Sequence, residues 1–146
     1  MATRSTIAIE YLDGTVKQVY CHWDGYIEHN GKILQESYTN PNKLNRIMEL
    51  GDLSVLAKDI GTQHDFNDNN YDQCKFYGRD RNETGIEAKT FVNFDDYLQN
   101  MQAEEYNYIL RFVNGDSVWF VSHYESNGQL EPLRLALTRQ SVETLK

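Results

Sequence analysis

Apolar and polar residues alternate near the start of the chain. Ile7, Ile9 and Tyr11 share one face of an extended run over residues 5–12. Over 15–22, Val16, Gln18 and Tyr20 face one way while Lys17, Val19 and Cys21 face the other. A period of two is the signature of strands, whose successive side chains point to opposite faces. Asp13-Gly14 between the two runs predicts a β-hairpin, because Gly accepts the positive φ of a type I′ turn. Tyr26, Ile27, Ile33 and Leu34 then predict a short helix to about Ser37, although Asn30-Gly31 falls in its middle and Gly costs about 1 kcal/mol there. The next helix is clearer: Asn40 caps it, Pro41 fits its first position, Leu44, Ile47 and Met48 form its apolar face, and Gly51 closes it.

Residues 52–56 read as the start of a further helical turn or two, ending near Gly61. Residues 62–72, rich in Asn and Asp without periodicity, read as a loop. Cys74 to Tyr77 and Ile86 to Val92 read as strands joined by the polar connection Gly78 to Gly85. Asn93 or Asp95 can cap a short helix bearing Tyr97, Leu98 and Met101. Asn114-Gly115-Asp116 predicts a second hairpin between Tyr106–Val113 and Ser117–Tyr124, and Asn127-Gly128 another turn. Leu133, Leu135 and Leu137 alternate as a final strand, before a short polar tail with one helical turn. Hairpins at both ends with helices between them predict a single α+β domain over residues 1–146. In it an antiparallel sheet would be covered on one face by short helices.

With 40% hydrophobic and 12% aromatic residues the chain belongs among folded proteins. Its ten tyrosines suit half-buried sheet positions and interfaces. A net charge of −8 disfavours general nucleic-acid binding and attachment to anionic membranes. The first residues lack the apolar core of a signal peptide, and no apolar run approaches membrane-spanning length. The expectation is therefore a cytosolic protein in which Cys21 and Cys74 stay reduced.

Candidate chemistry gathers at Tyr20-Cys21-His22-Trp23-Asp24-Gly25-Tyr26, where the chain must turn. Cys21 and His22 point to opposite faces of a strand, so they cannot act as a nucleophile–base pair. Zinc spacing is absent, and the plainer reading buries Cys21, lays Trp23 over the core and turns the chain at Asp24-Gly25. Asp65, Asn67 and Asn69 match the first three ligand positions of a calcium loop. The match fails at Asn70, where Gly is needed, and at Phe76, where Glu is needed. Asp95-Asp96 and Glu104-Glu105 are adjacent pairs that diverge in space, so neither forms an acid–base dyad. Arg79 and Arg81, between Gly78 and Gly85, are the best anion-binding candidates, unless they pair with Asp80, Glu83 or Glu87. Trp23, Asp24, Tyr26 and Tyr77 would complete the site, with rings to stack on a base. Nucleotide-binding glycine motifs are absent, so no cofactor and no metal is expected.

The opening Met1-Ala2-Thr3-Arg4-Ser5-Thr6-Ile7-Ala8, the segment Val19 to Tyr26 and Phe76-Tyr77-Gly78-Arg79-Asp80-Arg81 together resemble a family of small accessory proteins of tailed bacteriophages and prophages. The resemblance covers most of the chain and implies action in the bacterial cytoplasm, but no catalytic residue carries over. The leading expectation is a non-enzymatic binding protein that engages a host protein or sequesters a small anionic, nucleotide-like ligand. Two rivals stand beside it: a hydrolase or transferase on a phosphate or glycosidic substrate with His22 or His29 as base, and an acidic mimic of DNA. Rows of exposed aromatics on an edge strand would favour a homodimer.

Overall fold

The computed structural model describes residues 2–144, with side chains through Ser141. Its centre is the pair of hairpins set side by side. Strands β1 (Ser5–Glu10) and β2 (Val16–Cys21) form the first hairpin, and β6 (Tyr106–Val113) and β7 (Asp116–His123) the second. β1 lies parallel to β6, from Ser5 opposite Tyr106 to Ile9 opposite Leu110. Beyond β2 come β3 (Leu53–Val55) and β4 (Lys75–Phe76), and beyond β7 comes β8 (Glu131–Pro132), giving the order β4-β3-β2-β1-β6-β7-β8. β5 (Lys89–Phe91) pairs with the first half of β2. The fold is α+β, as expected, but the sheet is mixed rather than antiparallel.

Both faces of that sheet are covered, which corrects the one-sided expectation. Ile7, Ile9, Val19, Cys21, Tyr108, Leu110, Trp119 and Val121 lie under α1 (Lys32–Ser37), α2 (Pro41–Leu50) and α5 (Leu133–Thr144). The alternate residues Ala8, Val16 and Ile109 form a smaller core with Phe91 and with Tyr97 of α4 (Phe94–Asn100). Asn40 caps α2 as the sequence predicts, its side chain accepting from the Asn42 N–H, and of the two candidates for α4 it is Asn93 that caps, accepting from the Asp96 N–H. No helix among the described residues is long and apolar enough to cross a membrane.

Four local expectations change. Leu53–Val55 is a strand instead of a helical turn, because Leu53 completes ladders to Cys21 on one side and Phe76 on the other. Within the polar connection, Tyr77–Arg81 forms the short helix α3, closed by Asn82 in the left-handed region at φ 56°. The leucines from 133 form α5 and not a strand, because Leu133 and Ala136 are buried one helical turn apart while Leu135 is exposed. The first hairpin turn is closed by the Gly14 N–H on the Tyr11 carbonyl at 2.9 Å. Only Gly14 takes a positive φ there, so this is not a type I′ turn; Asn114 and Gly115, both at positive φ, make that turn in the second hairpin.

Candidate functional site

The end of β2 is built to hold a ring in the open. Main-chain N–H groups of His22 and Trp23 continue the ladder to the carbonyls of Leu53 and Ser54. Buried Asn30 then fastens the turn from beneath, donating to the Trp23 carbonyl at 3.2 Å and the Ser5 hydroxyl at 3.3 Å. Gly25 packs so closely on β1 that a Cβ there would lie 2.7 Å from Ser5 Cβ, and its carbonyl accepts from the buried Tyr108 hydroxyl at 2.6 Å. Two backbone irregularities follow: Asp24 adopts the left-handed conformation at φ 58°, and residues Ile27–Gly31 form a π-helical turn. Such features persist only where tertiary contacts over-determine them, and they concentrate at functional sites. The outcome is a Trp23 side chain left 43% exposed.

Trp23, Asp24 and His29 form one wall of a cleft of about 580 Å³. Residues 54–56 make its floor, and Phe66, Asn67, Asp68, Tyr71 and Lys75 make the opposite wall. That wall is wrapped around the Lys75 ammonium, which donates to the Phe66 carbonyl at 3.1 Å, lies 3.4 Å from Asp68 Oδ1 and sits 4.6 Å from the Tyr71 ring centre. No hydrogen bond or ion pair among the described residues engages the Asp24 carboxylate. The mouth of the cleft therefore pairs an exposed indole with a carboxylate that is open to an incoming donor.

The six candidate residues divide around this cleft. Trp23 and Asp24 line it, and Tyr26 lies behind His29, with ring centres 5.9 Å apart. Tyr77 and Arg81 back the far wall: the Tyr77 ring centre is 5.6 Å from that of Phe66, and the Arg81 guanidinium lies 4.5 Å over Phe66 while pairing with Glu83. Arg79 is used inside the fold. Its five N–H groups go to the carbonyls of Ile60, Gly61 and Cys74 and to both oxygens of the fully buried Asp80 carboxylate. Burial opposes the charge on Asp80. The Arg79 pair and the N–H groups of Phe76 and His64 outweigh that opposition and hold its carboxyl below the usual range.

His22 Nδ1 contacts the Tyr20 hydroxyl at 2.7 Å and His29 Nδ1 contacts Asn30 Oδ1 at 2.9 Å, so neither ring is oriented by a carboxylate. Cys21 and Cys74 are free and buried; burial, reinforced by the neighbouring Cys74, pushes the Cys21 thiol up to about 12. In residues 65–72, the side chains of Asp65, Asp68 and Asn70 each accept from the N–H two residues on. No group of three or more potential metal ligands occurs among the described residues. Phe66, Tyr71 and Lys75 were not singled out from the sequence. The available signal was two aromatic rings in an otherwise hydrophilic loop. Comparison with protein-family models, curated proteins and solved structures yields no match for this chain.

Proposed function

We propose that the protein is a non-enzymatic binding protein that docks a host protein by taking a guanidinium or ammonium side chain into the Trp23 cleft. The observation that carries this reading is the open Asp24 carboxylate beside the half-exposed Trp23 ring. An indole face attracts a cation and the carboxylate accepts its hydrogen bonds, the two elements of a basic side-chain pocket. A net charge of −8 favours encounter with a basic surface. The anionic alternative has less support, because Arg79 is spent on Asp80 and three carbonyls and Arg81 on Glu83. The bacteriophage setting rests on the resemblance of the sequence segments quoted above.

A cation–π contact of about 0.5–2 kcal/mol and a charge-assisted hydrogen bond of about 1.5–3 kcal/mol give one isolated side chain a Kd of roughly millimolar or weaker. NMR detects binding at that strength. Acetyl-Gly-Arg-Gly-amide is titrated into ¹⁵N-labelled protein, alongside the Glu-containing tripeptide and inorganic phosphate. The Arg peptide is expected to move the Trp23 indole N–H resonance and leave Trp119, in the core, unmoved. Asp24→Asn, which tolerates the left-handed conformation, is expected to remove the response. A response to the Glu peptide or to phosphate in place of the Arg peptide, or an unchanged response in Asp24→Asn, overturns the proposal.

A further inference from the structure

Besides Lys75, one imidazole holds the wall of the cleft opposite Trp23. His64 Nδ1 lies 2.8 Å from Asp68 Oδ2, and His64 Nε2 lies 3.0 Å from the Cys74 carbonyl and 3.6 Å from Asp80 Oδ2. The His64 main-chain N–H donates to Asp80 Oδ1 at 3.1 Å. Both ring nitrogens therefore face oxygens that only accept, and a ring satisfies two such partners only with a proton on each nitrogen. The side chain is 11% exposed, so water does not readily replace either partner.

We infer that His64 is a proton-operated latch on the cleft: as the imidazolium it ties residues 62–72 to the Cys74 carbonyl just before β4 and to Asp80 of α3, and as the neutral ring it loosens the wall that carries Phe66 and Tyr71. The consequence for a bound side chain rests on the function proposed above; the latch itself does not. In the neutral ring one nitrogen carries a lone pair. That lone pair faces either the Asp68 carboxylate or the Cys74 carbonyl, so one hydrogen bond becomes a repulsive contact.

The charged groups facing His64 come from each element around it. Asp68 belongs to the same loop, and Lys75 on β4 shares that carboxylate. Arg79 and Asp80 come from α3, and Arg79 Nη2 shares the Cys74 carbonyl at 2.9 Å. Lys75 and Arg79 remain on the two carboxylates when His64 loses its proton, so the loop loosens without the site collapsing. Burial works against the imidazolium. The hydrogen bonds to Asp68 and Cys74 and the charge of Asp80 outweigh it and raise the ring above its ordinary value of 6.5. The loop is therefore held fully below pH 6.5 and is released as pH rises through the raised value.

Hydrogen exchange on the peptide-free protein between pH 5.5 and 8.5 tests the latch, with each amide rate divided by its intrinsic rate at that pH. Protection of the amides in residues 63–72 is expected to fall as pH rises above 6.5, by up to about tenfold per pH unit because one proton is linked, and then to level off. Core amides of β1 and β6 are expected to stay flat. In His64→Gln, which can donate to only one of the two acceptors, protection of the loop is expected to be low and independent of pH. The ¹⁵N resonances of the His64 ring in the unaltered protein supply a second reading, moving from imidazolium to neutral over the same pH range. A flat profile in the unaltered protein, a slope retained in His64→Gln, or a His64 ring that titrates outside the range of the slope overturns the latch. A sloping profile without a Trp23 response to the Arg peptide sustains the latch and removes the proposed function; a Trp23 response with a flat profile does the reverse.

Discussion

Replacing Arg79 by Met removes five N–H donors while keeping an unbranched stem to lie on the Phe76 ring, over which the guanidinium sits at 4.8 Å. The Asp80 carboxylate then stays fully buried without its closest cation, holding the N–H groups of Phe76 at 2.8 Å and His64 at 3.1 Å and facing the His64 ring only at 3.6 Å. Breaking a buried pair by deleting one partner costs about 3–5 kcal/mol, and the two surviving N–H bonds place Asp80 in the lower half of that range. The carbonyls of Ile60 and Gly61 lose a donor outright, at about 0.5–1.5 kcal/mol each, whereas the Cys74 carbonyl keeps His64. These effects overlap, so the expected loss is about 4 kcal/mol. At a urea m-value of about 2 kcal/mol/M, the midpoint falls by roughly 2 M. At about 2–4 °C per kcal/mol, Tm falls by on the order of 10 °C. Urea unfolding followed by circular dichroism at pH 6 is the assay. Arg81→Met, whose half-exposed partner is Glu83, is the control and should cost under about 1 kcal/mol. A loss below about 1 kcal/mol for Arg79→Met, with unchanged m-value, refutes the assignment of Arg79 to the fold.

Gly51→Ala should destabilise by about 2 kcal/mol or more in the same assay. Gly51 adopts φ 87° and ψ −156°, a conformation nearly confined to Gly, and a Cβ there would lie 2.3 Å from the Ile86 carbonyl oxygen. Tyr108→Phe leaves the buried Gly25 carbonyl without its donor and should cost about 1–3 kcal/mol, with faster exchange at Trp23 and Asp24 as its local mark. Stability against pH should form a plateau between about 4.5 and 6.5. On its acid side, Asp68 (held down by His64), Asp80 (held down by Arg79 against burial) and Glu131 (held down by Arg139) lose their contributions as pH falls through their lowered values. On its alkaline side the raised His64 loses its contribution, so a urea midpoint highest near pH 8 would contradict the network. Cys21 and Cys74, both buried with raised thiols, should react with a thiol reagent only in denaturant; native reaction of either would contradict their burial.

Much of this architecture follows from local chemistry, and where it does, the sequence was enough to read it. Alternation over 5–12 and 15–22, with the Asp13-Gly14 turn, predicts the first two central strands, and the Asn114-Gly115-Asp116 turn between 106–113 and 117–124 predicts the other two, because half-buried strands repeat every two residues and tight turns need residues that accept positive φ. Asn40-Pro41 through Gly51 predicts α2 with both of its ends, because capping is decided within a few residues of the terminus. The failures are the short segments. Leu53–Val55 is too short to show a period, and Leu133–Leu137 has apolar residues at positions that fit both periods, so what surrounds each segment decided its form: ladders to β2 and β4 for the first, packing of Leu133 and Ala136 for the second.

The site divides in the same way. The sequence by itself determined that Trp23 and Asp24 sit at a turn after a strand, since the strand pattern ends there and Asp-Gly tolerates a sharp change of direction. Only the tertiary structure decided what faces them. Residues 62–72 carry no periodicity, so no local rule predicts that this loop folds back around Lys75 to form the opposite wall. The role of Arg79 was equally a tertiary matter. A guanidinium among glycines reads alike whether its donors meet a ligand or the chain's own carbonyls, and here Asp80, Ile60, Gly61 and Cys74 take them all. Hydrogen-bond partners distant in sequence are fixed by packing, and packing is what local pattern does not encode.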